Sequence, residues 1–293
     1  MSIKDELYAS FKKGDTLTKL IYLNLAIFLL INLLHIITKL LLVDDSFLLQ
    51  YLAVPSNPLL LLYRPWTIIT YMFLHEGFIH VLFNVLNLYW FGRFFLLYFN
   101  QKQLVGVYVL GGVFGALSYV AAYNGFPYFQ QFAANSLLLG ASASVLAIMM
   151  AVTVSNPNVE IQLFLIGRVK LKYIAAVIFL ISVFSVLGNN AGGNIAHIGG
   201  IFAGYLFALF IKKGKDLTSG INKVLDFFVD LFARKKTLKV RYKNTSVSDE
   251  EWHYRKKADM DMINTILEKI KQSGYDSLSA EEKKQLFEQR EKK

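Results

Sequence analysis

The chain of 293 residues has no cysteine, which excludes a disulfide framework, a thiolate metal site and a cysteine nucleophile; any nucleophile has to be a hydroxyl or another side chain. Charge is scarce too: 18% of residues are Asp, Glu, Lys or Arg, against 55% hydrophobic. That balance is too apolar for an ordinary water-soluble domain, and the surplus has to face lipid. Proline occurs at only five positions, Pro55, Pro58, Pro65, Pro127 and Pro157, all between the long apolar runs rather than inside them, where a ring would break a helix. Acidic side chains are missing from the interior of every run; the nearest, Asp44, Asp45, Glu76 and Glu160, stand at the edges.

What is present is a series of membrane-length segments. A helix needs about 20 apolar residues to cross ~30 Å of hydrocarbon, and runs at 20–43, 79–98, 104–123, 171–187 and 195–211 meet or approach that length. The fourth in order, 142–154, stops at Ser155-Asn156-Pro157-Asn158 and would make only about 20 Å of helix. The preceding segment, 126–139, is therefore expected to dip into the membrane, which starts the short helix below the surface. Six spans put both termini on one side. Lys4, Lys12, Lys13 and Lys19, then Lys102, the Arg168/Lys170/Lys172 loop and Lys212/Lys213/Lys215 share that side, which is expected to be cytoplasmic. The net charge of +10 thus reads as juxtamembrane anchoring, with the lipid bilayer and not nucleic acid as partner. The first 19 residues are polar and the next run is too long for a signal h-region, so no cleavable signal is expected.

The expected organisation is an N-terminal segment (1–19), a six-span membrane domain (20–211), a basic amphipathic segment (212–244) and a small helical soluble tail (245–293). Leu217, Ile221, Val224, Leu225, Phe228, Leu231 and Phe232 recur at helical spacing ahead of a basic run at 234–243, the pattern of an interfacial helix on anionic lipid. In the tail, Ser279 with Glu282 makes a capping box, and Gly274 a stop for the helix before it.

Polar side chains at membrane depth are the natural place to look for chemistry. Gly140-Ala141-Ser142-Ala143-Ser144 opens the short fourth helix; by itself it is a small-residue packing seam, and it departs from the G-x-S-x-G elbow at Ser144. His197 lies near the start of the sixth run, followed by Gly200 and Gly204, a small-xxx-small face that lets another helix approach. If that neighbour is the fourth helix, Ser142 and His197 come within hydrogen-bond reach, and a Ser–His pair is the minimum that makes a hydroxyl nucleophilic near neutral pH. His80 and Asn84, at i and i+4 on the second run, can donate hydrogen bonds as an oxyanion hole requires; each alone would serve equally as an interhelical bond. With no deep carboxylate, a dyad rather than a triad is expected. His75-Glu76 ahead of His80 suggests a metal site, but the two histidines are five apart, roughly 140° around a helix, where H-E-x-x-H needs four. No metal and no cofactor are expected.

These sets, in this order and with the serine on a short fourth helix, resemble the rhomboid family of intramembrane serine proteases over roughly 64–211. The resemblance implies Ser142 as nucleophile, His197 as general base and then acid, and His80 and Asn84 as oxyanion donors. It implies a single-pass transmembrane helix of another protein as substrate, and a first loop lying partly in the outer leaflet. It points to a cell membrane, taken as the bacterial inner membrane, and leaves oligomeric state open. Three positions depart from the family pattern: the G-x-S-G motif reads Gly140-Ala141-Ser142-Ala143, the aromatic one turn after the nucleophile is Leu146, and the Trp-Arg pair of the first loop is Trp66-Thr67 with Arg64 nearby. A catalytically silent relative that binds membrane helices as an adaptor is the alternative; such a relative would typically lack the Ser or the His.

Overall fold

The computed structural model describes residues 14–44, 46–163, 167–232 and 249–291. Lys4, Lys12, Lys13, Asp45 and the basic run at 234–243 lie outside the described residues. The chain divides into two compact units, 1–233 and 234–293.

The first unit opens with α1 (Thr16–Leu40), which starts upstream of the apolar run because Asp15 caps it, its carboxylate accepting from the Thr18 N–H at 2.9 Å and so bringing the polar first turn into the helix. The long first loop contains α2 (Ser46–Leu52), β1 (Val54–Pro55), α3 (Pro58–Tyr63), α4 (Thr67–Thr70) and a 3-10 turn at Tyr71–Phe73. Next come α5 (Phe78–Leu96) and α6 (Gln101–Gly125), the latter begun by a reciprocal Asn100–Gln103 capping box. After α7 (Pro127–Gln130) and a 3-10 turn, β2 (Leu137–Leu138) pairs antiparallel with β1. Then follow α8 (Ser142–Ser155), a hairpin of β3 (Glu160–Leu163) and β4 (Gly167–Lys170), α9 (Leu171–Phe184), α10 (Ala191–Lys212) and α11 (Ser219–Phe232).

The expected all-helical membrane bundle is what forms. Among the described residues four helices, α1, α5, α6 and α10, are long and apolar enough to cross a membrane, while α8 and α9 are shorter apolar helices of 14 residues each. The fifth run therefore ends as a helix at Phe184, short of the expected 187. The Ser185 carbonyl accepts from the Asn194 side chain at 2.9 Å and from the Gly188 N–H at 3.0 Å, so the backbone turns although the side chains stay apolar. The β hairpin was not expected, and neither were the loop helices.

The centre of the bundle is α8, nearly all of which is buried, packed chiefly by α10, α6 and α5. Three buried tyrosines tie the first loop and the segment before α8 to α6. The Tyr71 hydroxyl donates to Gly112 O at 2.6 Å, Tyr108 to Met72 O at 2.9 Å, and Tyr119 to Ser136 Oγ at 2.8 Å. A buried hydroxyl without such a partner costs about 1–3 kcal/mol, so these bonds fix where the loop sits. At the other end, Lys102 pairs with Asp226 at 2.7 Å. Asp216 accepts from Thr218 and Gln103; partial burial works against its ionised form, but these bonds outweigh it and hold the carboxyl below its ordinary range.

In the second unit α12 (Asp249–Ser273) stops at Gly274, whose φ of +79° suits glycine, and α13 (Ala280–Glu291) follows. Ser279 and Glu282 form the reciprocal cap, Ser279 N donating to Glu282 at 2.7 Å. The Lys269 ammonium beside Glu282, then the Ser279 N–H, hold the Glu282 carboxyl down to about 2 from an ordinary 4.5. A depressed folded-state value means that the contribution is present above pH 4.5 and lost as pH falls through about 2. Carbon-detected NMR of the Glu282 carboxyl in the whole protein should give a midpoint near 2, moving toward 4.5 in Lys269→Met.

Candidate active site

The site is built where α8 begins. Gly140 has φ +127°, a conformation that L side chains rarely adopt, and its N–H donates to Tyr71 O at 2.9 Å. A Cβ there would stand 3.2 Å from the His80 ring. The glycine thus lets the strand of β2 turn into a helix directly beneath the imidazole of α5. The helix that follows has no side-chain cap, so the N–H groups of its first turn carry the partial positive charge of a helix N-terminus, unclaimed by any capping side chain.

His197 lies six residues into α10, about 9 Å below its start. Its depth against α8 is set by glycine. A Cβ on Gly200 would fall 2.2 Å from Ala143 O, and one on Gly204 would fall 2.1 Å from Ala147 O, so the two backbones run in contact. The result is that His197 Nε2 lies 2.7 Å from Ser142 Oγ.

Around this pair is a cavity of about 370 Å³ whose walls include His80, Asn84, Leu146, Ser182, Asn190 and Asn194. His80 and Asn84 both face it, Asn84 donating one amide proton back to His80 O at 3.0 Å. The His80 ring lies beside Gly140, just ahead of α8. Asn190 and Asn194 come from the start of α10; Asn189 lines a different hollow. Leu146, one turn after Ser142, is buried in the wall.

The geometry sets a hydroxyl against an imidazole nitrogen in a cavity that the His80 and Asn84 side chains also line. Residues 63–214, just over half of the chain, match the family described as Rhomboid domain. The chain belongs to the rhomboid family. It is accordingly a membrane-embedded helical protein of a family of intramembrane proteases. Residues 248–289 match a second family, one of unknown function (DUF6576). No curated protein matches the chain.

Within the rhomboid frame the departures acquire local explanations. Arg64 Nη1 donates to Gln50 O at 2.6 Å, and the guanidinium lies 4.1 Å above the Tyr51 ring; Trp66 Nε1 donates to Tyr51 O at 2.8 Å. Arg64 and Trp66 together clamp α2, and Thr67, fully buried, donates to Arg64 O at 2.7 Å. His75 packs against His80 with ring centroids 5.2 Å apart; among the described residues no group of three or more His, Cys, Asp or Glu is placed to hold a metal. One lining residue the sequence reading passed over is Ser182, a hydroxyl in an otherwise apolar run, which a census of intramembrane polar side chains would have caught.

Proposed function

We propose that this rhomboid is an active serine endopeptidase that cuts transmembrane helices of other membrane proteins. Ser142 Oγ attacks the scissile carbonyl while His197 Nε2 takes its proton, then returns it to the leaving amine; water repeats the cycle on the acyl-enzyme. The N–H groups opening α8, with His80 and the Asn84 amide, receive the oxyanion. The 2.7 Å contact between Ser142 and His197 carries the reading, because two polar groups brought together inside a lipid-facing bundle have no role in packing that apolar residues would not fill better.

Orientation follows from charge. We take the basic end of the bundle, with Lys102, Lys170 and Lys212, as the cytoplasmic end of a cell membrane, the side on which an even number of spans leaves both termini, so the cavity opens toward the opposite side. Peptide bonds in a helix are shielded by their own hydrogen bonds; a substrate segment has to unwind before attack, which favours Gly, Ala, Ser or Pro near that edge.

The test is cleavage of a Gly-containing transmembrane reporter by the purified protein in detergent. Cutting that survives EDTA, is stopped by a serine-phosphonylating fluorophosphonate whose phosphonyl group, fluoride having left, is found by mass on Ser142, and falls sharply on a polyleucine reporter is the expected result. No cutting of any reporter would move the adaptor reading ahead. Asn84→Ala and His80→Ala are expected to lower kcat by about 10- to 10³-fold, with KM little changed, since an oxyanion donor acts mainly in the transition state.

A further inference from the structure

Helix α9 is turned outward almost everywhere: Leu171, Ala175 and Ser182 are its buried residues, and Ile181 and Val183 on either side of Ser182 are exposed. Ser182 is therefore the polar group on the inward stripe of a lipid-facing helix. Its hydroxyl proton is committed, donating to Ile178 O at 2.9 Å. A serine back-bonded to its own helix needs no further partner, so burial alone assigns it nothing. Its oxygen, however, lies 3.5 Å from His197 Nδ1, the outer limit of hydrogen-bond contact, while the other ring nitrogen meets Ser142.

We propose that Ser182 is a positioning residue that holds His197 in the tautomer with the proton on Nδ1. With its proton given to Ile178 O, Ser182 can only accept along the Nδ1 direction. The Nδ1–H form satisfies that contact and leaves the Nε2 lone pair facing the Ser142 hydroxyl, which is what a general base needs. The opposite tautomer sets lone pair against lone pair at Ser182 and turns an N–H toward Ser142. Once Nε2 has taken the serine proton, the imidazolium still donates from Nδ1 to Ser182, so the contact persists through the reaction. A neutral hydroxyl thus does the orienting work of a triad carboxylate, at a position where Leu146 offers the imidazole no aromatic face. This inference rests on Ser142 and His197 being nucleophile and base.

The experiment uses the full chain with ¹⁵N-labelled histidine in detergent, comparing wild type, Ser182→Ala and Ser182→Thr, with His197 signals assigned against His197→Ala. Two quantities are read: kcat and KM on the transmembrane reporter, and the His197 ring-nitrogen shifts, which distinguish the tautomers without any turnover. Expected for Ser182→Ala is a kcat about tenfold lower at unchanged KM, the weight of one neutral hydrogen bond, with His197 shifts moving from the Nδ1–H form to a mixture. Ser182→Thr, which keeps the acceptor and the back-bond, restores both. An unchanged tautomer in Ser182→Ala overturns the proposal whether or not kcat falls, because the hydroxyl would then act by packing alone. If wild type cuts no reporter, the protease reading fails while the nitrogen shifts still decide the role of Ser182.

Discussion

Ser142→Ala and His197→Ala are each expected to lower kcat by at least about 10⁴-fold, roughly 5.5 kcal/mol of transition-state stabilisation, and the double variant should be no worse than the worse single. The reason is the 2.7 Å contact: neither group accomplishes its step alone, so removing the second takes away nothing that remains. Steady-state cleavage of the reporter by the three variants checks it. Ser144→Ala is the internal control. Ser144 is two residues further along α8, and its Oγ is buried with no hydrogen-bond partner. Deleting an unsatisfied buried hydroxyl removes a desolvation cost rather than an interaction, so that variant should keep full activity. If Ser144→Ala were the inactive one, the assignment of the nucleophile would be wrong.

Gly200→Ala is expected to cost about 10²-fold in kcat although Gly200 touches no reacting atom. The added methyl would lie 2.2 Å from Ala143 O, a backbone atom inside a helix that cannot swing aside. Helices α8 and α10 have to part, and Ser142 stands one residue from the point of contact while His197 is three from Gly200. A displacement of about 1 Å between reacting groups is enough for a loss of that size. Gly204→Ala makes the same clash one turn deeper, at 2.1 Å from Ala147 O, and should appear first as a lower unfolding temperature, with overpacking of about 1–3 kcal/mol. Gly220→Ala, in α11 with nothing within 4 Å of its Cβ position, should be neutral or slightly stabilising. Equal activity of Gly200→Ala and wild type would mean that the helices yield more easily than their backbone contact implies.

How far the sequence carried can be followed residue by residue. Length and hydropathy located α1, α5, α6 and α10, because a long lipid-facing helix needs little beyond apolar composition. The break after Val154 and the small residues before it placed α8 to within a residue of its start and end. The Gly200/Gly204 face pointed to a close neighbour, and the structure supplies that neighbour as α8. What stayed hidden depends on partners distant in the chain. The end of α9 is set by Asn194, nine residues away; the pairing of β1 with β2 joins Val54 to Leu138; and Ser182 matters only because His197 sits across from it. Two helix starts carry purely local signals: Asn57 accepts from the Leu59 N–H at 2.8 Å ahead of Pro58 at the start of α3, and Asp15 caps α1 in the same way.

The shortness of α9 reaches beyond the protein. Its 14 residues make a wall of about 21 Å whose outer face, including Phe179, Leu180, Ile181 and Phe184, is exposed and has to be covered by acyl chains about 30 Å thick in an unperturbed bilayer. Unlike α8, which is wrapped by other helices, α9 leaves that difference to the lipid. A bilayer of ordinary thickness beside a wall of that length is expected to thin, at a fraction of a kcal/mol for each ångström of mismatch. Lipid composition thereby becomes a variable of this rhomboid: chains that thin readily are expected to ease the strain on this side of the cavity, and thicker, stiffer membranes to add to it.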